Sequence, residues 1–386
     1  MNHTTGLLQR RCICDTTRLQ QLSDRITVNK KIKEKSIFDE VFFFDTLESL
    51  HVKIKSGTYL LLVGEKNDLS NISLLSSITI VGAIFPRVVF GTKSFESGIV
   101  ALKLSDNTLV DIIKDMDKVG MLQVEENVHS IFTIVDGLSS KLDNFLENIF
   151  FVLPEHTHII GGGAGKMSLK QEPIIFDNHG FYQDSALVVQ SQGAISLGVS
   201  HGWEPLFGPF MATTCIGHTL HKINFQDAFH VYKNAVEQDT LERFNEANFF
   251  DISKSYPIGI LRCGRDFIVR DPISSDGKSL SLVGNMDTNS VISILKGNKE
   301  TLIEASKKAA LLAKENTHLK NYNIILVDCI SRLLFLEEAF DEELEAIKSV
   351  YPSEIVMWGM LTFGEIANAN QEGIEFYNKT CVVGTL

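Results

Sequence analysis

The chain of 386 residues holds one glycine run that ends in lysine, Gly161-Gly162-Gly163-Ala164-Gly165-Lys166. Glycines let a backbone approach a phosphate and offer it amide N–H groups. A phosphate loop also needs glycine five positions before Gly165, where Ile160 stands, and Ser or Thr after the lysine, where Met167 stands. A dinucleotide turn needs glycine at position 166, which is Lys166. Both need a helix next, so that its N-terminal amides meet the anion. Gln171-Glu172-Pro173-Ile174-Ile175-Phe176 reads instead as a turn followed by a strand. The run is therefore expected to bend sharply or to lie close to a ligand, and a nucleotide loop is not expected.

Other candidate groups carry less. His156-Thr157-His158 places two imidazoles on one face of a strand, but no third metal ligand stands at a telling distance. Cysteines occur at 12, 14, 215, 263, 329 and 381, with no CxxC pair and no zinc spacing. Six in so long a chain do not make a disulfide scaffold, and reduced thiols are the simplest reading. No GxSxG elbow and no cysteine-protease signature is present. Cys263 and Cys329 flank apolar strands, where cysteine is usually a small core residue. No catalytic residue, metal or cofactor is expected, and a thiol enzyme using Cys263 or Cys329 ranks third among the functional readings.

The elements that would position these residues repeat. Tyr59 to Val63 reads as a buried strand ended by Gly64, Ile78 to Val81 as a second ended by Gly82, and Gly98 to Leu104 as a third. Ile131 to Val135, ending in Asp136-Gly137, is followed by a helical pattern of Leu142, Phe145, Leu146 and Ile149, and then by His158-Ile159-Ile160, stopped by the glycine run. Near the C-terminus Ile324 to Val327 ends in Asp328, an acidic helix follows, and Ile355 to Trp358 stops at Gly359. Strand, helix, strand, glycine, strand, strand is thus used three times. The expected fold is α/β (α+β), with two lobes of mixed sheet flanked by helices. Residues 1–37 are an unassigned leader, 38–225 the first domain and 226–386 the second.

Composition limits the function. Hydrophobic residues at 44% and charged residues at 22% are ordinary for a soluble globular protein. The net charge of −12 disfavours nucleic acid as a partner. The basic run Lys30, Lys31, Lys33 and Lys35 is read as solvated. No secretory signal and no window near the roughly 20 apolar residues of a membrane span is found. A cytoplasmic protein without membrane insertion is expected.

Several segments together carry a family resemblance. Val135-Asp136-Gly137-Leu138, then Ile159-Ile160 with the glycine run, then Asp184 to Val189 resemble the FIST N-terminal domain. Ser200-His201-Gly202-Trp203-Glu204-Pro205, with Gly208-Pro209, is similar to its HGW segment. Asp328-Cys329-Ile330-Ser331-Arg332 resembles the C-x-x-R turn of the FIST C-terminal domain. Thr362-Phe363-Gly364-Glu365-Ile366 and Asn378-Lys379-Thr380 resemble its closing segment, and Ile268 to Asp271 and Gly284-Asn285 fit its middle. The match covers about residues 38–386. Leu206-Phe207 is an extra bulky pair, and the first 37 residues match nothing.

The resemblance implies an intracellular sensory module that binds a small ligand, such as an amino acid, and passes the signal to a separate partner protein. It also implies scaffolding as a second use, and catalytic residues are not a feature of the family. For an amino-acid ligand, Arg332 suits the carboxylate. Glu365, beside Gly364, suits the ammonium group. Gly162, Gly163 and Ala164 would offer backbone, and His201 and Trp203 a wall or lid. Asp328 and Cys329, like Asp136, lie at a strand's carboxyl end, where open α/β sheets bind ligands. The plainer alternatives are that Arg332 pairs with Glu365 and that Trp203 packs in the core. The scaffold reading would show an exposed apolar patch, and 25 phenylalanines suit either reading.

Overall fold

Apolar runs such as Leu60-Leu61-Leu62-Val63 mark strands covered on both faces, and such strands pair in parallel through a crossover. The computed structural model describes residues 37–245, 247–262, 267–317, 322–369 and 373–386. Cys12, Cys14, Cys263 and leader residues 1–36 lie outside them.

Three repeats follow one plan. The first holds β1 (Phe38–Phe44), α1 (Leu47–Lys53), β2 (Thr58–Gly64), β3 (Thr79–Phe85), β4 (Arg87–Phe90), β5 (Lys93–Phe95) and β6 (Ile99–Leu104). The second holds β7 (Thr108–Ile113), β8 (Ser130–Asp136), α2 (Leu142–Val152), β9 (His158–Ala164), β10 (Ile175–Asp177), β11 (Gly180–Tyr182) and β12 (Ala186–Ser191). The third opens with β13 (Ser196–Ser200) and is then interrupted by an insertion. The insertion contains β14 (Glu204–Ile216), β15 (Thr219–Ile223), β16 (Gln226–Asp227), α3 (Ala228–Asp239), α4 (Phe249–Ser253), β17 (Ile258–Leu261), β18 (Phe267–Arg270), β19 (Pro272–Ser275), β20 (Leu280–Leu282) and β21 (Ser290–Lys296). The third repeat resumes with α5 (Lys299–Glu315), β22 (Ile324–Cys329), α6 (Ile330–Leu336), α7 (Phe340–Lys348), β23 (Met357–Thr362), β24 (Glu365–Ala367), β25 (Glu375–Tyr377) and β26 (Cys381–Thr385).

The repeats exchange hairpins. The sheet orders are β1-β6-β2-β3-β10-β11, β7-β12-β8-β9-β24-β25 and β13-β26-β22-β23-β4-β5. In each, one parallel pair lies at the centre: β2 with β3, β8 with β9, β22 with β23. Each repeat donates the hairpin after its second parallel strand to the sheet of another repeat, closing a ring of three. The insertion builds a fourth, eight-stranded sheet around β21 and β14. Among the described residues, three of the four sheets take strands from both sides of residue 225, so the two sequence halves interlock, and those residues make one compact unit.

The glycines at 82, 161 and 359 were expected to stop strands, but they sit within β3, β9 and β23. They occupy one equivalent position, opposite Leu61, Thr133 and Leu326 of the parallel neighbour. A Cβ at each would lie 2.4, 1.7 and 1.9 Å from the facing carbonyl oxygen of those residues. The central strands approach more closely there than a side chain allows, which is why glycine recurs. Between the three sheets, Phe38, Phe132 and Trp358 meet edge to face, Phe38 to Trp358 at 5.2 Å and Phe38 to Phe132 at 6.1 Å between ring centres.

Helix α5 covers the third sheet. Asn298 caps it by accepting from the Thr301 N–H at 2.8 Å. It buries Leu302, Ala305, Ser306, Ala309, Ala310 and Ala313, and these small residues let β13 come close, with a Cβ on Gly198 only 2.0 Å from Ala309 O.

Gly161→Ala and Gly359→Ala are each expected to cost at least about 2 kcal/mol in urea unfolding, because the obstacle is backbone and cannot swing aside. Gly120→Ala, where an added Cβ meets nothing within 4 Å, should stay within about 0.5 kcal/mol of the parent.

Candidate functional site

The third repeat gathers most of the chemistry at the carboxyl end of β22. Asp328 ends the apolar run, Cys329 stands at the N-cap position of α6 without a capping side-chain bond, and Arg332 falls one turn later, pointing inward. Arg332 is fully buried. Its Nε donates to Glu343 Oε1 at 2.9 Å and lies 3.3 Å from Asp328 Oδ1. Nη1 donates to the carbonyls of His201 at 2.7 Å and Lys379 at 3.2 Å. Nη2 donates to Leu302 O at 2.9 Å, Ser306 Oγ at 2.8 Å and Glu343 Oε1 at 2.7 Å. Burial alone would lower the guanidinium's pKa, but Glu343 and Asp328 carry it above its ordinary value. Burial, and then the charge of Glu343, push the Asp328 carboxyl well up.

All five guanidinium N–H groups are thus engaged. The contact with an amino acid's carboxylate expected of Arg332 would have to displace these bonds. Nor does Arg332 hydrogen-bond Glu365; its carboxylate partners are Glu343 and Asp328, which lie outside the pairing weighed from sequence.

Glu365 is fully buried on the turn between β23 and β24. It accepts from Thr362 Oγ1 at 3.1 Å and from the Thr380 N–H at 3.3 Å. The Cys329 thiol also hydrogen-bonds to it. Burial pushes the Glu365 carboxyl up to about 8. Burial, then the charge of Glu365, push the Cys329 thiol well up as well, against hydrogen bonds from the backbone of Lys379 and Ser331. A thiol so disposed stays protonated at neutral pH and is a poor nucleophile.

The glycine run supports this turn through the backbone. Gly162 pairs with Glu365 and Gly161 with Ile366. The Gly163 N–H donates to Gly364 O, and the Phe363 N–H to Gly163 O, both at 2.9 Å. The Gly165 N–H goes to Ile84 O. A Cβ on Gly162 would lie 2.7 Å from Thr362 Cγ2, and one on Gly163 would lie 2.4 Å from Phe363 O. Gly162, Gly163 and Ala164 therefore give the Thr362–Glu365 turn a flat bed, and the Gly163 amide is already used in it. Gly364 takes φ +96°, and any side chain there would meet the Phe376 ring at 1.9 Å.

The HGW segment closes the same region from the other side. Gly202 takes φ +78° against the start of α5, 2.4 Å from Thr301 O measured from an added Cβ. The Trp203 N–H donates to His201 Nδ1 at 2.9 Å, and its indole N–H to Lys379 O at 3.1 Å. Trp203 packs edge to face on Phe335 at 5.0 Å and is 2% exposed. Lys379 is also buried. Its Nζ pairs with Asp271 Oδ2 at 3.1 Å, donates to Lys254 O at 2.9 Å and lies 5.2 Å over the Trp203 ring. Its left-handed φ of +53° is tolerated by a non-glycine residue only where surroundings hold it. Ser331 Oγ donates to the same Asp271 oxygen at 2.9 Å. Burial raises the Asp271 pKa, opposed by the charge of Lys379.

Outside this buried layer lies a groove of about 990 Å³. Its floor and rim hold Ser200, His201, Gly202, Trp203, Tyr377 and Thr380. One wall is the exposed face of α5, with Glu300, Glu304, Lys308 and Leu312, and Phe267 faces it. His201 and Trp203 thus reach both the groove and the buried network. Asp328, Cys329, Arg332 and Glu365 lie behind it, and Asp136 lies in the second repeat, accepting from Gln171 Nε2 at 2.9 Å. Sequence reasoning missed Glu343, Ser306 and the α5 wall. Helical spacing could have flagged Glu343, since it stands at the first turn of α7 among the inward positions Phe340, Leu344 and Ile347.

Residues 72–226 match the FIST N domain, and residues 228–368 match the FIST C domain, in tandem. No curated protein sequence matches the chain.

Arg332→Ala should cost about 3–5 kcal/mol in denaturant unfolding, because it leaves the Glu343 and Asp328 carboxylates without their cation in the interior and takes the donor from His201 O. Arg332→Lys should recover little, since one ammonium group cannot serve six acceptors. A buried acid held neutral stabilises the fold fully below its ordinary pKa near 4.5 and loses that contribution as pH rises through about 8. The melting temperature should therefore fall between about pH 5 and 8, and Glu365→Gln should flatten that fall in a pH series.

Proposed function

The chain belongs to the FIST family, whose domains are associated with signal-transduction sensing, and on that premise we propose that it is a non-catalytic cytoplasmic sensor that binds a small metabolite, such as an amino acid, in the groove beside His201 and Trp203. The groove carries the proposal. It has the size of a small-ligand site, with the apolar groups Phe267 and Leu312 facing each other across it and a few polar groups in its lining. Glu300, Glu304 and Lys308 put both signs of charge on one wall, which suits a zwitterion: Lys308 for its carboxylate, Glu304 for its ammonium group. This moves the ligand contacts off Arg332 and Glu365, which become the frame of the groove. The HGW loop would pass the bound state to a separate partner protein, since Arg332 holds His201 O and thereby ties the rim to the core.

The absence of chemistry in this reading rests on Cys329, whose thiol is buried and pushed away from ionisation. No helix of the described residues is long and apolar enough to cross a membrane.

One observation favours a scaffold as the second reading. Phe151 is 81% exposed and Phe150 51%, beside a second groove of about 640 Å³. Two aromatic rings together in water are unusual on a surface without a partner.

A thermal-shift screen of the purified chain against amino acids tests the sensor. A ligand at 100 times its Kd should stabilise by about 2.7 kcal/mol. Glu304→Ala and Lys308→Ala should abolish that shift while leaving the free protein within about 0.5 kcal/mol of the parent. A shift that survives both substitutions rejects the groove, and a flat screen moves the weight to the scaffold.

A further inference from the structure

A second site lies deeper, on the face of the third sheet that α5 and α7 cover. Asp328 and Cys381 are directly opposite one another on the antiparallel strands β22 and β26, so their side chains share that face. Glu343 reaches them from α7. The Asp328 and Glu343 carboxylates and the Cys381 Sγ offer three ligand atoms within 4.8 Å of one another, and all three residues are fully buried.

Each carboxylate is used on one side only. Asp328 Oδ1 and Glu343 Oε1 face Arg332, and Ser306 Oγ donates to the same Glu343 oxygen. Asp328 Oδ2 and Glu343 Oε2 have no hydrogen-bond partner among the described residues. A buried carboxylate oxygen without a partner is costly, and here two occur together beside a thiol. With the thiol ionised, the three side chains carry −3 and Arg332 +1. A divalent cation brings the cluster to neutrality. Its ligands would stand about 2.0–2.3 Å away, a span that three atoms so close together can reach.

We propose that Asp328, Glu343 and Cys381 hold one divalent cation of the zinc class. The thiolate selects a borderline-soft ion over magnesium or calcium. Arg332 and Ser306 then act as the outer layer that orients the two carboxylates through their other oxygens. The ion is enclosed, so it is taken up as the chain folds and serves structure, independently of the ligand groove.

The test uses full-length protein produced in cobalt-supplemented medium. Cobalt bound to sulfur gives a thiolate-to-metal charge-transfer band in the near ultraviolet. The expected result is one cobalt per chain with that band, lost in Cys381→Ser and retained in Cys215→Ser. X-ray absorption at the cobalt edge should show one sulfur at about 2.3 Å with the remaining ligands oxygen or nitrogen. This last measurement is made on the parent chain, so it holds even if the Cys381 variant fails to fold. Protein without stoichiometric metal, a shell with no sulfur, or one with two or more overturns the proposal; the cluster is then neutralised by protons on Asp328 and Cys381.

Discussion

A guanidinium with no access to water organises this molecule. Arg332 holds the HGW loop through His201 O, the end of the chain through Lys379 O, α5 through Leu302 O and Ser306, and α7 through Glu343. Burying such a charge is expensive unless every N–H is matched. Here five N–H groups meet acceptors on four separate segments, so the charge fixes the relative positions of parts far apart in sequence. The same logic holds for Lys379 with Asp271 and for Glu365 with Thr362 and the Thr380 amide. The groove rim is tied down by polar contacts behind it. Groups that look like ligand contacts by type serve as its frame.

The exchange of hairpins makes that arrangement possible. Glu365 belongs to the third repeat but sits in the sheet of the second, laid against Gly162. The turn from β23 to β24 therefore spans two sheets, and Glu365 at its end can meet Cys329 of the strand beside β23. Without glycine at 162 and 163 the donated turn could not lie so close, and glycine at 161 lets β9 itself approach β8. The glycine run and the GE turn are two faces of one packing requirement.

The threefold strand pattern was legible because β2, β8 and β22 are continuous apolar runs with a clear end. The motifs around His201, Arg332 and Glu365 were legible as a set, and the fold does bring them into one region. Glycines 82, 161 and 359 were misread as strand ends, because periodicity shows a missing side chain but not the facing carbonyl that forbids it. Hairpin exchange was invisible, since pairing of β4 with β23 or β24 with β9 joins residues hundreds of positions apart or in different repeats. The buried cluster of Asp328, Glu343 and Cys381 has no fixed spacing to recognise. Arg332 was legible as important but not as enclosed, because its acceptors are mostly backbone carbonyls and carry no sequence signal.

The groove reading can be tested on the two tryptophans of the chain. Trp203 lines the groove, and Trp358 is enclosed between the three sheets. Fluorine NMR of the chain labelled with 5-fluorotryptophan gives one resonance for each. Titration with single amino acids should move the Trp203 resonance for at least one of them and leave Trp358 in place. A ligand that stabilises the protein while Trp203 stays unmoved, or no movement of Trp203 across all the amino acids, would contradict the account.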